Sequence, residues 1–338
     1  MSAISIQVLE NDAESAARFE QVREAVGPDG AHDDAPARSA IRLLGWRGDE
    51  PVARLAYQVA PELHDAPGAS GLVGHYEALD TEAGVTLLRA ARRALLQQGA
   101  VRVLGPINGS TWARYRLAIR PTDPTAEDDP PPFLSEPWNP ARYPFDFEAA
   151  GFSEIAQYES RVDSQLDAEA QDAGVVSERV RAAGIRVRPL NLGDFEAELE
   201  RLYALSVECF ADKLYYTPVP LEAFREQYRK ARPLIDPELV LIAETEERPV
   251  AFQFAFRDPR SPQPAAPRVI VKTVATSPSC RGLGLGGHML DLIRRRAHAK
   301  GASSVIHALM YVRNLSMRMS ARHRTEVFRR YALYQWTP

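Results

Sequence analysis

Residues 40–105 and 239–309 of this 338-residue chain follow one plan, and a chain that runs the same plan twice is expected to fold as two related units. In the first copy Ile41–Trp46 and Val52–Val59 flank Arg47-Gly-Asp-Glu-Pro51, which reads as two strands about a glycine-containing turn. In the second, Leu239–Ala243 and Val250–Phe256 flank Glu244–Pro249 in the same way, and Pro51-Val52-Ala53 matches Pro249-Val250-Ala251. A third strand follows in each, Leu72–Glu77 and Val269–Ala275. Next comes a helix whose apolar residues recur at three and four positions: Leu88, Ala91 and Leu95 in one, Met289, Leu290, Ile293 and Ala297 in the other. Gly99-Ala100 and Gly301-Ala302 end these helices, where glycine can take the left-handed capping conformation. Val101–Leu104 and Ser303–Leu309 then supply a further strand.

Strands, a helix and another strand, taken twice, predict an α/β (α+β) layered fold. The first unit is expected over 1–165 and closes with a helix at Tyr143–Gly151 and a strand at Ser153–Val162. A polar, alanine-rich connector covers 166–184. The second unit covers 185–338 and opens with a strand at Ile185–Arg188 and a helix from Asp194 to about Phe210. Between the copies, Pro121–Pro140 holds seven prolines and Glu127-Asp-Asp129, so it reads as a long surface loop inserted in the first unit.

The remaining composition narrows the class. Lys and Arg number 41 against 45 Asp and Glu, a net charge of −4, which disfavours a dedicated nucleic-acid binder. From Arg281 onward, eleven basic residues face two acids, a bias that would suit an anionic cofactor or a nucleic-acid or other anionic partner, but arginines on a solvated helix face around Arg294-Arg-Arg296 are the favoured explanation. Cys209 and Cys280 stand alone, with no ligand spacing about them, so neither a disulfide framework nor a metal site is expected. No apolar run reaches the roughly 18 residues of a membrane span and Met1–Asp12 lacks a leader pattern, so a cytoplasmic, membrane-free protein is expected.

The segment that carries chemistry is Val274-Ala-Thr-Ser-Pro-Ser-Cys-Arg281-Gly-Leu-Gly284-Leu-Gly286-Gly287, between an apolar strand and an amphipathic helix. Glycines at 282, 284 and 286 let the backbone turn sharply, the helix N-terminus adds its positive dipole end, and Arg281 adds a cation. This is a pyrophosphate-holding pattern. Gly282, Gly284 and Gly287 also fit G-x-G-x-x-G, but a dinucleotide fold places the glycine directly after its strand and an acid at the end of the next one. Here Ser277–Arg281 intervene and the next strand carries His307. No Gly-Lys-Ser/Thr is present for a P-loop.

Strand, V-x-x-x-P-x-x-R-G-x-G-x-G, helix, strand and then Asn resembles the GNAT superfamily, the Gcn5-related N-acetyltransferases, over residues 185–338. The resemblance implies a tandem of GNAT-like modules, each a mixed, mostly antiparallel sheet flanked by helices. It implies acetyl-CoA as co-substrate, held at Arg281, Gly282, Leu283, Gly284, Leu285 and Gly286. The backbone of Val274, Ala275 and Thr276 would pair with the pantetheine arm, and Asn314 would contact the cofactor. Asp80-Thr-Glu-Ala-Gly84 stands at the corresponding place in the first module without the arginine or the glycines, so one CoA per chain is expected. The implied activity is direct N-acyl transfer, most simply acetyl transfer, to a small-molecule or peptide amine. The competing reading is a non-catalytic CoA-binding protein.

The family pattern departs at the catalytic residues. Where many members have a tyrosine seven residues after the Asn, this chain has Ala321, so no general acid carries over; Tyr216, Tyr311 and Ser320 are the hydroxyls nearby in sequence. No general base is identified either: the motif strand offers Lys272, and the substrate-side helix and loop offer Glu208 and Asp212. Asp212, Tyr215 and Tyr216 are the pocket candidates. Gly105–Arg116 reads as a polar loop that either caps the first sheet or lines a substrate site. Cys280, His288 and His307 read as packing residues.

Overall fold

The computed structural model describes residues 3–26, 35–60, 63, 66–122, 129–168 and 173–338. The Glu127–Asp128 part of the proline-rich segment and part of the expected connector, 169–172, lie outside the described residues. The first half runs β1 (Ile4–Val8), α1 (Ala13–Val26), β2 (Ile41–Arg47), β3 (Glu50–Ala60), β4 (Ser70–Ala78), α2 (Thr81–Gln97), β5 (Arg102–Gly105), β6 (Leu117–Ile119), α3 (Tyr143–Ala149) and β7 (Ser153–Asp163). After α4 (Ala173–Ala182), the second half runs β8 (Arg186–Pro189), α5 (Phe195–Phe210), α6 (Leu221–Ala231), β9 (Val240–Glu244), β10 (Pro249–Arg257), β11 (Arg268–Thr276), α7 (Leu285–Ala299), β12 (Ser304–Tyr311), α8 (Leu315–Ser320) and β13 (Glu326–Trp336).

The repeat seen in the sequence is a repeat in the sheet. β3 and β10 are each flanked by antiparallel neighbours, and the strand after each, β4 or β11, continues into a parallel pair with β5 or β12. Ala53 lies opposite Ala78, and its counterpart Ala251 lies opposite Thr276, so Ala78 and Thr276 are equivalent positions. Each parallel ladder is short. β4 pairs with β5 only through Ser70–Leu72, and β11 with β12 only through Arg268–Val271. An irregularity in β4 opposite Arg54/Ala56, and one in β11 opposite Phe254/Ala255, marks where each strand departs. The second half therefore opens beyond Val271, whereas in the first Ile107 N–H still donates to the Val73 carbonyl and His75 N–H to Asn108 Oδ1.

The two halves do not form separate sheets. Thirteen strands join in the order β1-β2-β3-β4-β5-β13-β7-β12-β11-β10-β9-β8, with β6 also on β13. The chain's last strand, β13, closes the first half by pairing with β5, and β7, which the sequence division assigns to the first half, pairs with β12 of the second. β13 and β7 then pair with each other from Glu326–Val162 to Gln335–Ser153. A central strand is covered on both faces, which is why Tyr331-Ala-Leu-Tyr334 is a continuous apolar run with all four residues buried. Tyr334 packs against α2 and α3 residues, and Leu333 and Tyr331 enter the cluster on the opposite face.

The proline-rich segment departs from the surface loop expected of it. Phe133 is fully buried in the second half's aromatic core beside Phe328, and Glu136 is 1% exposed. Glu136 takes a 2.7 Å bond from Arg329 Nε and also binds the Tyr331 hydroxyl, while Arg329 reaches Asp129. Prolines keep this stretch out of the ladders, but its aromatic and acidic side chains wedge between the halves.

Because β13 and β7 belong to both halves, denaturant unfolding should be a single cooperative transition, with far-UV circular dichroism and tryptophan fluorescence coinciding. Leu333→Ala should lower stability by about 2–5 kcal/mol and shift both signals together. Two separated transitions, of which only one moves, would contradict the interleaved sheet.

Candidate functional site

β11 ends at Thr276, and Ser277 caps a short turn, Pro278–Cys280, by accepting from the Ser279 N–H. Cys280 turns inward and is buried against the α7 core. The chain then passes Gly282 (φ +87°) and Gly284 (φ +79°), both left-handed, before α7 begins at Leu285. A side chain at 282 or 284 would strain the turn, and a Cβ at Gly286 would meet Met319 Cε of α8 at 2.9 Å. The Gly286 carbonyl is fixed by Gln253 Nε2 at 2.6 Å. No side chain caps the first turn of α7. Its leading N–H groups and dipole end therefore form an anion site that no carboxylate among the described residues caps.

Arg281 is exposed at the entrance, 3.4 Å from Asp212, which also pairs with Lys213 at 2.8 Å. Next to the loop, β11 from Lys272 to Thr276 lies beyond its ladder with β12, while β12 itself turns through Leu309 (φ +58°) toward β7. The result is a strand edge suited to an extended arm, ending at the anion site. Asn314 is the first residue of the α8 turn, and its side chain makes no capping bond.

The first half shows the same frame filled by its own residues. Asp80 caps α2, accepting from Ala83 N at 2.9 Å, and is paired with Arg47 at 2.7 Å, so a carboxylate already occupies the place of the phosphate. The Ala78 N–H, equivalent to that of Thr276, donates to the Tyr143 hydroxyl at 3.1 Å, and Arg142 binds the Ala78 carbonyl. A Cβ on Gly84 would stand 2.0 Å from the Tyr76 hydroxyl. Helix α3 and Tyr76 thus block both the strand edge and the helix start.

The catalytic candidates separate on contact. Glu208 is bound by Arg248 and by the Ser277 hydroxyl, contacts that hold its carboxyl below the ordinary value. Lys272 Nζ lies 3.4 Å from the Ser135 carbonyl, and loss of hydration, with the Arg116 charge nearby, pushes its ammonium down to about 8. Tyr215 (φ +56°) points to Gln335 of β13 and packs in a cluster shared with the first half. Tyr216 is buried beside Trp112, and burial raises its phenol. Tyr311 stacks on Tyr158, and Ser320 is buried with its hydroxyl on His307 Nδ1 at 2.9 Å. Ala321 is exposed at the end of α8. Cys209 is buried, and burial pushes its thiol up to about 12. Among the described residues no cluster of potential metal ligands occurs, and no helix is long and apolar enough to cross a membrane.

The Gly105–Arg116 segment, read from the sequence as a sheet cap or a substrate-lining loop, sends Trp112 and Arg116 across to the second half. Trp112 packs edge-on against Phe210 and Phe224, and its indole N–H donates to the Thr217 carbonyl at 3.1 Å. Arg116 donates to the Leu309 carbonyl at 3.0 Å.

A strand that leaves its parallel partner and an uncapped glycine turn into a helix thus set an open backbone edge beside an anion-binding helix start. The profile of the Acetyltransferase (GNAT) family matches residues 199–319, so a GNAT-family domain lies within the second half of the chain. Solved structures carry the likeness over the whole chain. A Gcn5-related N-acetyltransferase from Sphaerobacter thermophilus aligns with a TM-score of 0.52 at 14% identity over 98% of this chain and 95% of that one. A tandem GNAT protein of the clavulanic acid biosynthesis pathway aligns at 0.52 and 11% identity over 99% and 98%. A Gcn5-related glucosamine N-acetyltransferase region of a fungal multi-domain β-N-acetylglucosaminidase aligns at 0.59 and 14% identity over 99% of this chain, which spans 38% of that longer one. At these identities the likeness defines a GNAT fold, one shared by a tandem protein. No curated protein matches the sequence.

His307, behind the site, supplies a pH test. Burial, with His323 beside it, pushes its imidazole from 6.5 down to about 3, so it stays neutral in the folded protein. The unfolded chain takes up that proton below pH 6.5, so this contribution is full above 6.5 and is lost as the pH falls, by up to about 1.4 kcal/mol per unit. In His307→Asn, stability should fall less steeply between pH 6.5 and 5 than in the wild type. An unchanged slope in denaturation curves would show that His307 is not held neutral.

Proposed function

We propose that the second half is an acyl-CoA-dependent N-acyltransferase, acetyl-CoA being the simplest donor, acting on the amine of a small molecule or peptide. The observation that carries the reading is the contrast between the halves: α2 is capped by its own Asp80, whereas α7 has no side-chain cap and follows an open strand edge. The residues present suit the donor. Arg281 and the Gly282–Gly286 turn would hold its pyrophosphate, the Val274–Thr276 backbone its arm, and Asn314, at the start of α8 with no capping bond, would contact it. When bound, the donor supplies an activated acyl thioester.

The protein's own part is to position and to move a proton. Arg281 exchanges its exposed Asp212 partner for the phosphates, a small cost because surface pairs contribute about 0–1 kcal/mol. The Trp112, Phe210 and Phe224 cluster shapes the acceptor side and keeps water from it. Lys272 Nζ is the proton acceptor the arrangement favours, since Glu208 and Asp212 are held by cations. With its ammonium near 8, an appreciable fraction is neutral at mildly alkaline pH. A hydroxyl at position 321 is not required, because a thiol of pKa about 8.5 leaves largely unaided at that pH.

Arg281→Glu should weaken acetyl-CoA binding by at least about tenfold by calorimetry, since it sets a negative charge against the phosphates. Lys272→Met should lower kcat by about 100-fold, with the KM for acetyl-CoA nearly unchanged, and remove the rise in rate toward pH 8. Unaltered CoA affinity in a folded Arg281→Glu chain would remove the donor assignment. CoA binding with no thiol release across amine, amino-acid and peptide pools would leave a non-catalytic CoA-binding protein.

A further inference from the structure

Four of the chain's 41 basic residues are lysines. Three of them face a carboxylate: Lys213 lies 2.8 Å from Asp212, Lys230 3.7 Å from Glu226 and Lys300 2.7 Å from Asp236. Lys272 pairs with none among the described residues, and its Nζ contacts a backbone carbonyl instead, that of Ser135 at 3.4 Å.

The backbone sets it apart. In the β10–β11 ladder Phe254 lies opposite Thr273 and Ala255 opposite Val271, so Lys272 is the extra residue of a bulge and has no partner on β10. It is also the first residue beyond the parallel ladder with β12, which ends at Val271 and His307. A bulge at such a place bends the strand and re-aims a side chain. Here the amine is aimed at Ser135, which follows Phe133 and Leu134 in the aromatic core under α5 and α6. That is the side on which Trp112, Phe210 and Phe224 cluster. Lys272 precedes Thr276 as Gly74 precedes Ala78 in the first half, and a Cβ on Gly74 would stand 2.3 Å from the Ile107 carbonyl oxygen. The shared frame therefore does not itself call for a lysine.

What this lysine can do rests on the donor reading above. With the pyrophosphate at the glycine turn and the arm along Val274–Thr276, the thioester end of the donor would run toward Lys272. The group waiting there is an amine, the kind of group that the proposed activity acylates. Loss of hydration, with the Arg116 charge, brings its ammonium down to about 8, so part of it is unprotonated and nucleophilic. Its stem is flexible and held by one contact. A nucleophile tethered beside a bound thioester reacts at an effective concentration that free amines do not reach.

We propose that Lys272 is a self-acylation site, whose Nζ takes the acyl group from the bound donor when no substrate amine stands on the acceptor side. The neutral Nζ attacks the thioester carbonyl carbon, and the C–N bond forms as the C–S bond breaks. Sulfur leaves with the electron pair as the CoA thiolate, and the proton released by the nitrogen passes to that thiolate or to solvent. The products are an acylated Lys272 and free CoA. The amide carries no charge and accepts no proton, so the modified chain has lost the base assigned to Lys272 and its transfer activity is silenced.

The test incubates the full chain with acetyl-CoA and no acceptor, at the Kd that calorimetry gives for the wild type, with Arg281→Glu and Lys272→Arg alongside. Intact-mass spectrometry counts acetyl groups and tryptic mapping places them, since an acetylated Lys272 resists cleavage and leaves Val269–Arg281 as one peptide. Lys272 should be acetylated at least about tenfold faster than Lys213, Lys230 or Lys300, at a rate that does not change on about tenfold dilution of the protein. Arg281→Glu should slow it at least about fivefold, and Lys272→Arg should lose the gain. Acetyl-CoA bound with no gain at Lys272, acetylation spread evenly over the four lysines, a gain that persists in Lys272→Arg or a rate that rises with protein concentration would overturn the proposal and leave the donor reading standing. A rate indifferent to Arg281→Glu, or no acetyl-CoA binding at all, would overturn both.

Discussion

The backbone pairing of β13 between β5 and β7 is the contact on which the rest of the structure depends. Without it the first half would expose the edge of β5 and the second would lose the support of β7, since β7 is held on one side by β13 and on the other by β12. Unpaired edges invite association with other chains, and here each half covers the other's. Buried charge reinforces the junction: Arg329 on β13 with Glu136, and Arg294 on α7 with Asp163 at the end of β7. Such pairs add little beyond an apolar isostere, but removing one partner strands the other charge, at a cost of about 3–5 kcal/mol. They therefore specify which strand lies where.

On this shared frame the halves have diverged by who supplies the anion at the helix start. In the first half the protein supplies it, as Asp80 on α2 with Arg47 as counter-ion, and α3 lays Arg142 and Tyr143 along the β4 edge. In the second, three glycines bring the backbone to the same place without a side-chain cap among the described residues, and α8, which stands where α3 does in the first, sets Met319 beside Gly286. One frame thus yields a closed groove and an open one. The first half contributes to the open one through Trp112 and Arg116, which cross to the second half's α5–α6 aromatic cluster and to β12.

Much of this was legible in the sequence because it is local. The paired strands, both amphipathic helices and the glycine turn follow from periodicity and from residues that tolerate positive φ, and the Asp80–Gly84 substitution in the first copy was visible as a change of residue type. What was not legible is long-range. Tyr331–Tyr334 reads as apolar, but nothing nearby says that it inserts into the other half's sheet. The prolines around Phe133 point to a surface loop, and only the tertiary fold shows the aromatic core of the second half receiving that ring. Helix α1 buries only Phe19 and Val22, too few for its period to stand out.

The central claim is that one frame is open to acyl-CoA and the other is sealed by its own side chains. Hydrogen–deuterium exchange with and without saturating acetyl-CoA reads both frames in one experiment. The account predicts slowed exchange across 272–287 and no change across 76–84. Equal protection of the two segments, or protection of the first alone, would contradict it.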